Sequence, residues 1–406
     1  MQSESLFCVA RRERATLGRE AYGISRVEVS EQVLRWALNR SNLSEDVLAS
    51  KFPRIYEWIS GITRPTLRQL EKLAQATRTP LGYFFLYEPP EEILPIPHFR
   101  TLDDGTLSQP SPDLIETIHT MQRRQAWMRE SLIEKGQKPL PFVESIRMGE
   151  DPVEIAMTMR RALGFEENWA ALCRNWTEAL RVLRETLGEA GILVVVNGLV
   201  GNNTHRKLSP DEFRGFVLVD EYAPLLFVNG GDSKAAQMFT LAHELAHVFL
   251  GSSAAFDLRR MQPAYDPMEQ ACNHIAAEFL VPEVELRRTW HSVKNDPEPL
   301  QAVAYQFKVS RLVAARRVLD LSLISKDQFF EFYDSYLHDE RREANEKGKF
   351  GNFYANQNLR VGRRFAADVA NAAMEGRLLY TEAYELTGLY GETFHRYVDR
   401  LSIGGA

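Results

Sequence analysis

The chain has little cysteine. Cys8, Cys173 and Cys272 are odd in number, far apart and without a CxxC pair, which argues against a disulfide framework and against a cysteine-based zinc site. Long apolar runs are also missing. No stretch approaches the roughly 18 apolar residues that a membrane span needs, and the opening MQSESLFCVARRERATLGRE has no apolar core of signal-peptide length. Nor does one sign of charge dominate: 49 Lys and Arg against 55 Asp and Glu leave a formal net charge of -6, too little to make the whole protein a nucleic-acid or membrane binder. Repeats and low-complexity tracts are absent apart from one proline-rich stretch. The expectation is a cytoplasmic protein with no membrane partner, on which any basic surface is local.

What is present suffices for two or three domains with a sizeable core: 406 residues, 44% of them hydrophobic. Residues 1–23 mix charges without periodicity and read as an N-terminal arm. Residues 24–88 read as short helices. Val33, Leu34, Ala37 and Leu38 form one apolar stripe, and Ser44 is placed to cap a second helix. A short third helix, RIYEWIS, ends at Gly61, and Thr66 with Gln69 makes a capping box for a fourth that Pro80 stops. Short helices with tight turns suggest a helix-turn-helix bundle.

Residues 89–112 hold six of the 19 prolines and predict a stiff linker. In residues 113–324 helical spacing resumes, then gives way to GILVVV, GFVLVD and PLLFVN, which read as three strands from Gly191, Gly215 and Pro224. A helix entered at Asp232 and closed by Gly251 follows, so this region is α+β. Residues 325–406 read as a helical C-terminal segment rich in aromatics. It carries 14 of the 42 Phe, Tyr and Trp, which are expected to fill a core of its own with some left exposed for a partner.

Chemistry concentrates in FTLAHELAHVFLG, residues 239–251. Four residues along an α-helix turn the chain by about 40°, so His243 and His247 project from one face a turn apart and can grip one ion. Glu244 sits about 100° around, where its carboxylate can reach a water on that ion without ligating it. With nine histidines and 55 acids shuffled at random, such a motif arises about 0.03 times per chain, so accident is a poor explanation. Two imidazoles and an acid on an apolar helix would be costly to bury without a partner.

Histidine nitrogens with a carboxylate suit Zn²⁺, which in catalytic sites takes three protein ligands and leaves a fourth position for water. The third donor is expected at Glu269 in MEQACNHIAAEFLVP, opening a helix whose Ala271, Cys272, Ile275, Ala276, Phe279 and Leu280 keep buried spacing. Asp257, Asp266, His274 and Glu278 are the alternatives. Asn273, one turn after Glu269, is a candidate to orient that carboxylate, and Tyr265 and His274 are candidate oxyanion donors. Such a site hydrolyses peptide bonds, with Glu244 moving the proton.

With these residues the chain resembles the ImmA/IrrE family of metallopeptidases, in the longer form with an N-terminal helix-turn-helix of the Xre type. The likeness spans residues 24–320 and is carried by PTLRQLEKLA and FFLYEPPEEILPIPHFR, then DEFRGFVLVD, FTLAHELAHVFLG, EQACNHIAAEFLVP and VSRLVAARRVL. It implies a thermolysin-like zinc core in which His243, His247 and Glu269 match the ligands and Glu244 the base. Better-known members cleave Xre-type repressors in stress or mobile-element responses, which suggests a regulatory protein substrate here. Some long members sit beside PIN-type ribonuclease toxins, so a non-enzymatic DNA-binding regulator or antitoxin is the rival.

One departure stands out. Xre domains often carry Trp-Glu before the residue pair ending in the glycine that follows their third helix, whereas this chain has WISG, Trp58 to Gly61, with Ile59 in the place of the acid. Residues 24–80 hold nine Lys and Arg against six Asp and Glu. The reading helix offers only Arg54 and Tyr56, with Arg64 beyond it, which suits phosphate contact better than base-specific readout. The same bundle could instead dock a protein.

Overall fold

A computed structural model describes residues 26–41, 43–91, 110–251, 255–256, 266–343 and 357–403. The N-terminal arm, residues 92–109 of the linker, Asp257, Tyr265 and the aromatic run at 350–354 lie outside the described residues. The chain divides into two compact units, a small one of Met1–Ile93 with Gln109–Pro112 and a large one of Leu94–Ser108 with Asp113–Ala406.

The small unit contains α1 (Glu31–Arg40), α2 (Glu45–Lys51), α3 (Ile55–Ile59), α4 (Leu67–Thr77) and a 3-10 turn, Leu81–Phe85. Its turns follow local chemistry. Thr66 N–H donates to Gln69 Oε1 at 2.9 Å and Gln69 N–H to Thr66 Oγ1 at 3.2 Å, the reciprocal box expected at the start of α4. Gly61, at φ 71°, takes the left-handed position after α3. Ser44 precedes α2 without a side-chain cap bond, contrary to its expected role. Val33, Leu34, Ala37, Ile55, Trp58, Leu70, Leu73 and Phe84 form the core. Ile59, at 7% exposure, joins them and so serves the interior.

The large unit is mostly helical around a small sheet, an α+β arrangement. Helices α5 (Pro112–Glu134), α6 (Pro152–Leu163) and α7 (Trp176–Glu189) precede β1 (Leu193–Asn197), β2 (Gly215–Leu218) and β3 (Leu225–Asn229). Then come α8 (Lys234–Leu250), β4 (Ala255–Phe256), α9 (Pro267–Leu280), α10 (Glu283–Val293), α11 (Pro299–Phe307) and α12 (Arg311–Asp320). The chain ends in α13 (Lys326–Glu343), a π-helical turn at Asn358–Gly362, α14 (Arg363–Met374), α15 (Tyr380–Thr387) and α16 (Gly391–Ile403).

The strand order is β1-β3-β2-β4, with β1 and β3 parallel and β2 antiparallel to β3 and β4. Strands β1 to β3 are buried throughout, and their alternation divides two cores. Val194, Val196, Val217, Leu226 and Val228 face the core that holds α8 and α9. Leu193, Val195, Phe216, Leu218, Leu225 and Phe227 face a second core with α5 and the C-terminal helices. A sheet covered on both faces explains why its strands read as continuous apolar runs.

Three of the C-terminal aromatics thus share a core with the sheet instead of making one alone: Phe365, Phe394 and Tyr397 belong to the same buried cluster as Phe216 and Phe227. Buried Arg124 on α5 ties this layer down, its Nε donating to Leu386 O and its Nη1 to Arg360 O, each at 2.8 Å. In α13 the pattern splits, with Phe329 buried and Phe330 58% exposed. Helix α8 begins one residue later than expected: Ser233, not Asp232, is the N-cap, its Oγ accepting from Ala236 N–H at 3.2 Å.

Candidate metal centre

Helix α8 is buried on every side from Gln237 to Phe249, because the sheet covers one flank and helices α7 and α9 the other. His243, Glu244 and His247 each have 0% exposure. Helix α9 lies against α8 through Cys272, Ile275, Ala276 and Phe279, all fully buried. Its start is set by Pro267 at the first position and by Asp266, whose Oδ1 accepts from Met268 N–H at 2.8 Å. Glu269 therefore sits in the first turn, aimed at α8.

The two helices bring three ligand atoms together. His243 Nε2 and His247 Nε2 are 3.2 Å apart, and the Glu269 carboxylate lies 3.1 Å from the first and 3.4 Å from the second. A tetrahedral ion about 2.05 Å from each ligand places ligand atoms about 3.3 Å from one another, so all three edges fit one small cation. The tautomer supports this. Asn273 Oδ1 lies 3.1 Å from His243 Nδ1 and can only accept, so that nitrogen donates and the Nε2 lone pair faces His247 and Glu269. Among the described residues this is the one His, Cys, Asp and Glu group close enough to hold a metal.

Electrostatics agree with a cation site. Burial holds His243 neutral and pulls its pKa down to about 4, in spite of Glu269 beside it. Burial would raise Glu269, but the His243 and His247 rings that adjoin it outweigh burial and hold the carboxyl well below its ordinary range. Glu244 goes the other way: burial first, then the charge of Glu269, raise it well above the usual carboxylate value. Both Glu244 oxygens lack a hydrogen-bond partner among the described residues, as does His247 Nδ1. A buried carboxyl with no hydrogen-bond partner among the described residues stands beside three donors able to hold a cation. Cys272, adjacent to the group, is no rival donor, since burial and the nearby acids push its thiol up.

Of the remaining expected site residues, some are engaged elsewhere. Asp266 caps α9, and Glu278 pairs with Arg317 and accepts from Glu283 N–H at 2.9 Å. Asn273 does bond in the site, but to His243 and not to Glu269, because it follows Glu269 by a full turn and points across to α8. His274 lies on the exposed side of α9. In the small unit Arg54 and Tyr56 are exposed, and Arg64 is exposed and paired with Glu28 at 3.0 Å. One residue escaped the sequence reading: Gly215 on β2, where a Cβ would stand 2.5 Å from Thr240 Cγ2 and 3.1 Å from Glu244 Oε1. An isolated glycine opening a strand is the signal that could have found it.

Two imidazoles and a carboxylate converging in a buried α+β core form a group able to hold a metal ion, with a buried acid beside it. Residues 188–319 match the family model of the IrrE N-terminal-like domain of the M78 peptidases, a metallopeptidase family, and these residues contain the whole group. Residues 361–400 match a domain of unknown function, DUF8813, which here covers the second face of the sheet. No curated protein matches the chain.

Proposed function

We propose that the large unit is a zinc-dependent endopeptidase that cuts a regulatory protein, an Xre-type transcriptional repressor, in a stress or mobile-element response. The observation that carries this is the near-equilateral set of ligand atoms with the unpartnered Glu244 beside it. His243, His247 and Glu269 hold the metal, and two nitrogens with one carboxylate suit Zn²⁺. When bound, Zn²⁺ supplies Lewis acidity toward water and the scissile carbonyl.

The chain's own residues do the rest. Glu244 takes a proton from the attacking water as the oxygen adds to the carbonyl carbon, then delivers it to the amine nitrogen as the C–N bond breaks. Asn273 keeps the His243 proton on Nδ1, so that the other nitrogen stays a ligand. The apolar surroundings of α8 exclude bulk water and strengthen both effects.

We read α2 and α3 as a helix-turn-helix of the Xre type, with Arg54, Tyr56 and Arg64 contacting DNA phosphates. A second reading is favoured by Tyr56, Ile62 and Tyr87, which are 55%, 75% and 93% exposed on that unit. In it the unit docks a protein, such as a PIN-type ribonuclease toxin, and the effect needs no cleavage.

Elemental analysis together with incubation beside purified Xre-type repressors tests the first reading. One zinc per chain is expected, with specific fragments from the wild type and none from Glu244→Gln. Equal cleavage by both proteins ends the assignment of Glu244. Full biological effect from Glu244→Gln, with a protein partner that co-purifies, supports the second reading instead.

A further inference from the structure

Strand β2 is a wall shared by the two cores. Gly215 and Val217 turn toward α8, whereas Phe216 and Leu218 turn toward the C-terminal helices, so one strand borders the metal centre on one face and the DUF8813 match on the other. Gly215 is the tight point, since a Cβ there would stand 2.5 Å from Thr240 Cγ2 and 3.1 Å from Glu244 Oε1. Phe216, the next residue, is fully buried and stacks on Phe227 with ring centroids 4.8 Å apart. What fixes Phe216 on the second face therefore fixes Gly215 on the first.

Helix α5 carries the grip. Gln125 Nε2 donates to Leu218 O at 2.7 Å and to Ala223 O at 3.0 Å, and Arg129 Nε donates to Asp220 Oδ2 at 2.8 Å, which holds the turn between β2 and β3. Arg124, the residue before Gln125, is 5% exposed and gives its guanidinium to two carbonyls of the C-terminal segment, Arg360 O and Leu386 O. The Phe365 ring lies 5.8 Å from that guanidinium and meets Trp127 edge-on at 5.6 Å. Adjacent residues of α5 thus hold the C-terminal segment and the strand beside Glu244. A buried charge whose donors end on another segment ties the two together, because separation leaves it without partners.

We propose that the segment matching DUF8813 is a clamp for the metal centre: docked on Arg124 and Trp127, it holds α5 and β2 against α8 and so keeps Glu244 in place. The metal-ligand group itself is drawn from α8 and α9. Arg124 is a positioning residue that acts through α5 and β2, and loosening it slackens the wall without touching a ligand. This rests on the peptidase reading for what the position of Glu244 accomplishes, but not for the coupling itself.

The test reads backbone hydrogen exchange in the zinc-loaded full chain, well below its melting temperature, for the wild type, Arg124→Met and Arg124→Lys. The comparison variant is Val303→Ala, a fully buried position on α11 in the first core. In Arg124→Met the amides of residues 215–218 and 240–244 should exchange about tenfold faster, the factor that loss of charged hydrogen bonds gives. Val303→Ala should leave residues 215–218 at the wild-type rate. Arg124→Lys, which keeps a charged donor, should return part of the protection. Zinc content should not change, and repressor cleavage by Arg124→Met should fall in kcat with KM retained. Melting curves identify an Arg124→Met chain that has lost its fold, in which case Phe365→Leu replaces it.

Equal acceleration of β2 by Arg124→Met and Val303→Ala overturns the proposal, since it reports loss of overall stability alone. Unaltered exchange at residues 215–218 and 240–244 in Arg124→Met overturns it too, because the segment then loosens without moving the wall. Exchange is read without turnover, so the expected exchange in proteins that cleave no repressor would remove the peptidase reading alone. Wild-type cleavage by an Arg124→Met chain whose β2 exchanges faster would remove the clamp alone.

Discussion

A single methyl group placed on β2 tests how closely the strand and α8 approach. In Gly215→Ala the added Cβ would stand 2.5 Å from Thr240 Cγ2, 2.8 Å from Phe227 O and 3.1 Å from Glu244 Oε1. Carbon contacts are comfortable at about 3.5–4.0 Å, so the first is short by more than an ångström. Neither neighbour yields easily: Phe227 O belongs to the β3 ladder, and Thr240 is 1% exposed on a fully buried helix. Overpacking of this kind costs about 1–3 kcal/mol. At about 2–4 °C per kcal/mol for a large domain, the melting temperature should fall by about 2–12 °C.

The methyl group also pushes on the carboxylate, and displacement of a reacting group by about 1 Å can cost about 100-fold in rate. Cleavage should therefore fall much further than zinc content. Gly188→Ala is the control, since it lies inside α7 with no atom within 4 Å of the new Cβ. Removing a helical glycine there should stabilise by a few tenths to about 1 kcal/mol. Calorimetry, zinc analysis and a cleavage assay on the three proteins decide the matter. A Gly215→Ala protein that melts and cuts like the wild type would refute the close packing of β2 on α8.

Asn273→Ala should lower zinc affinity about 10–100-fold, as loss of a partner to a ligand imidazole does, whereas Asn273→Asp should retain it; competition with a chelating dye measures both. For the metal-free protein, burial holds His243 near 4 in the fold against an ordinary 6.5, so the unfolded chain takes up a proton first as pH falls. The stability this contributes is complete above pH 6.5 and drains between 6.5 and 4, while that of Glu269, held below its ordinary 4.5, is lost at lower pH still. Melting temperature should drop across that window and less steeply in His243→Gln, and a flat profile would contradict the neutral buried ring. Arg124→Met should destabilise by about 1–3 kcal/mol, because two half-buried carbonyls lose charged donors; denaturant titration reads the change in midpoint.

Much of the fold was legible because its signals are local. The Thr66–Gln69 box, the left-handed glycines after α3 and α8 and the three apolar strands all express bonds made within a few residues. What the sequence hid depends on distant partners. Among the described residues strand β4 comprises Ala255 and Phe256, too few for any periodicity, and it is set by its pairing with Gly215 and Phe216 on β2. The C-terminal aromatics keep helical spacing whether they fill a separate core or the second face of the sheet. Only the placing of Phe365 and Phe394 in one buried cluster with Phe216 and Phe227 decides between those.

The candidate site divides in the same way. His243, Glu244 and His247 are legible because one helix turn sets their geometry, and Glu269 because its helix had to pack on theirs. The partner of Asn273 was not, since spacing along α9 cannot tell whether the amide turns back to its own helix or across to α8. That distinction has chemical content. An amide turned to Glu269 would adjust a carboxylate, whereas one bonded to His243 Nδ1 fixes which nitrogen is left to bind, and it does so without adding charge to a centre that already holds two acids. A carboxylate in that position would place a third negative group beside Glu244, whose burial already favours the protonated form, and would hold the proton on Glu244 more firmly still. The neutral amide therefore adds nothing to the burial and the Glu269 charge that already raise Glu244.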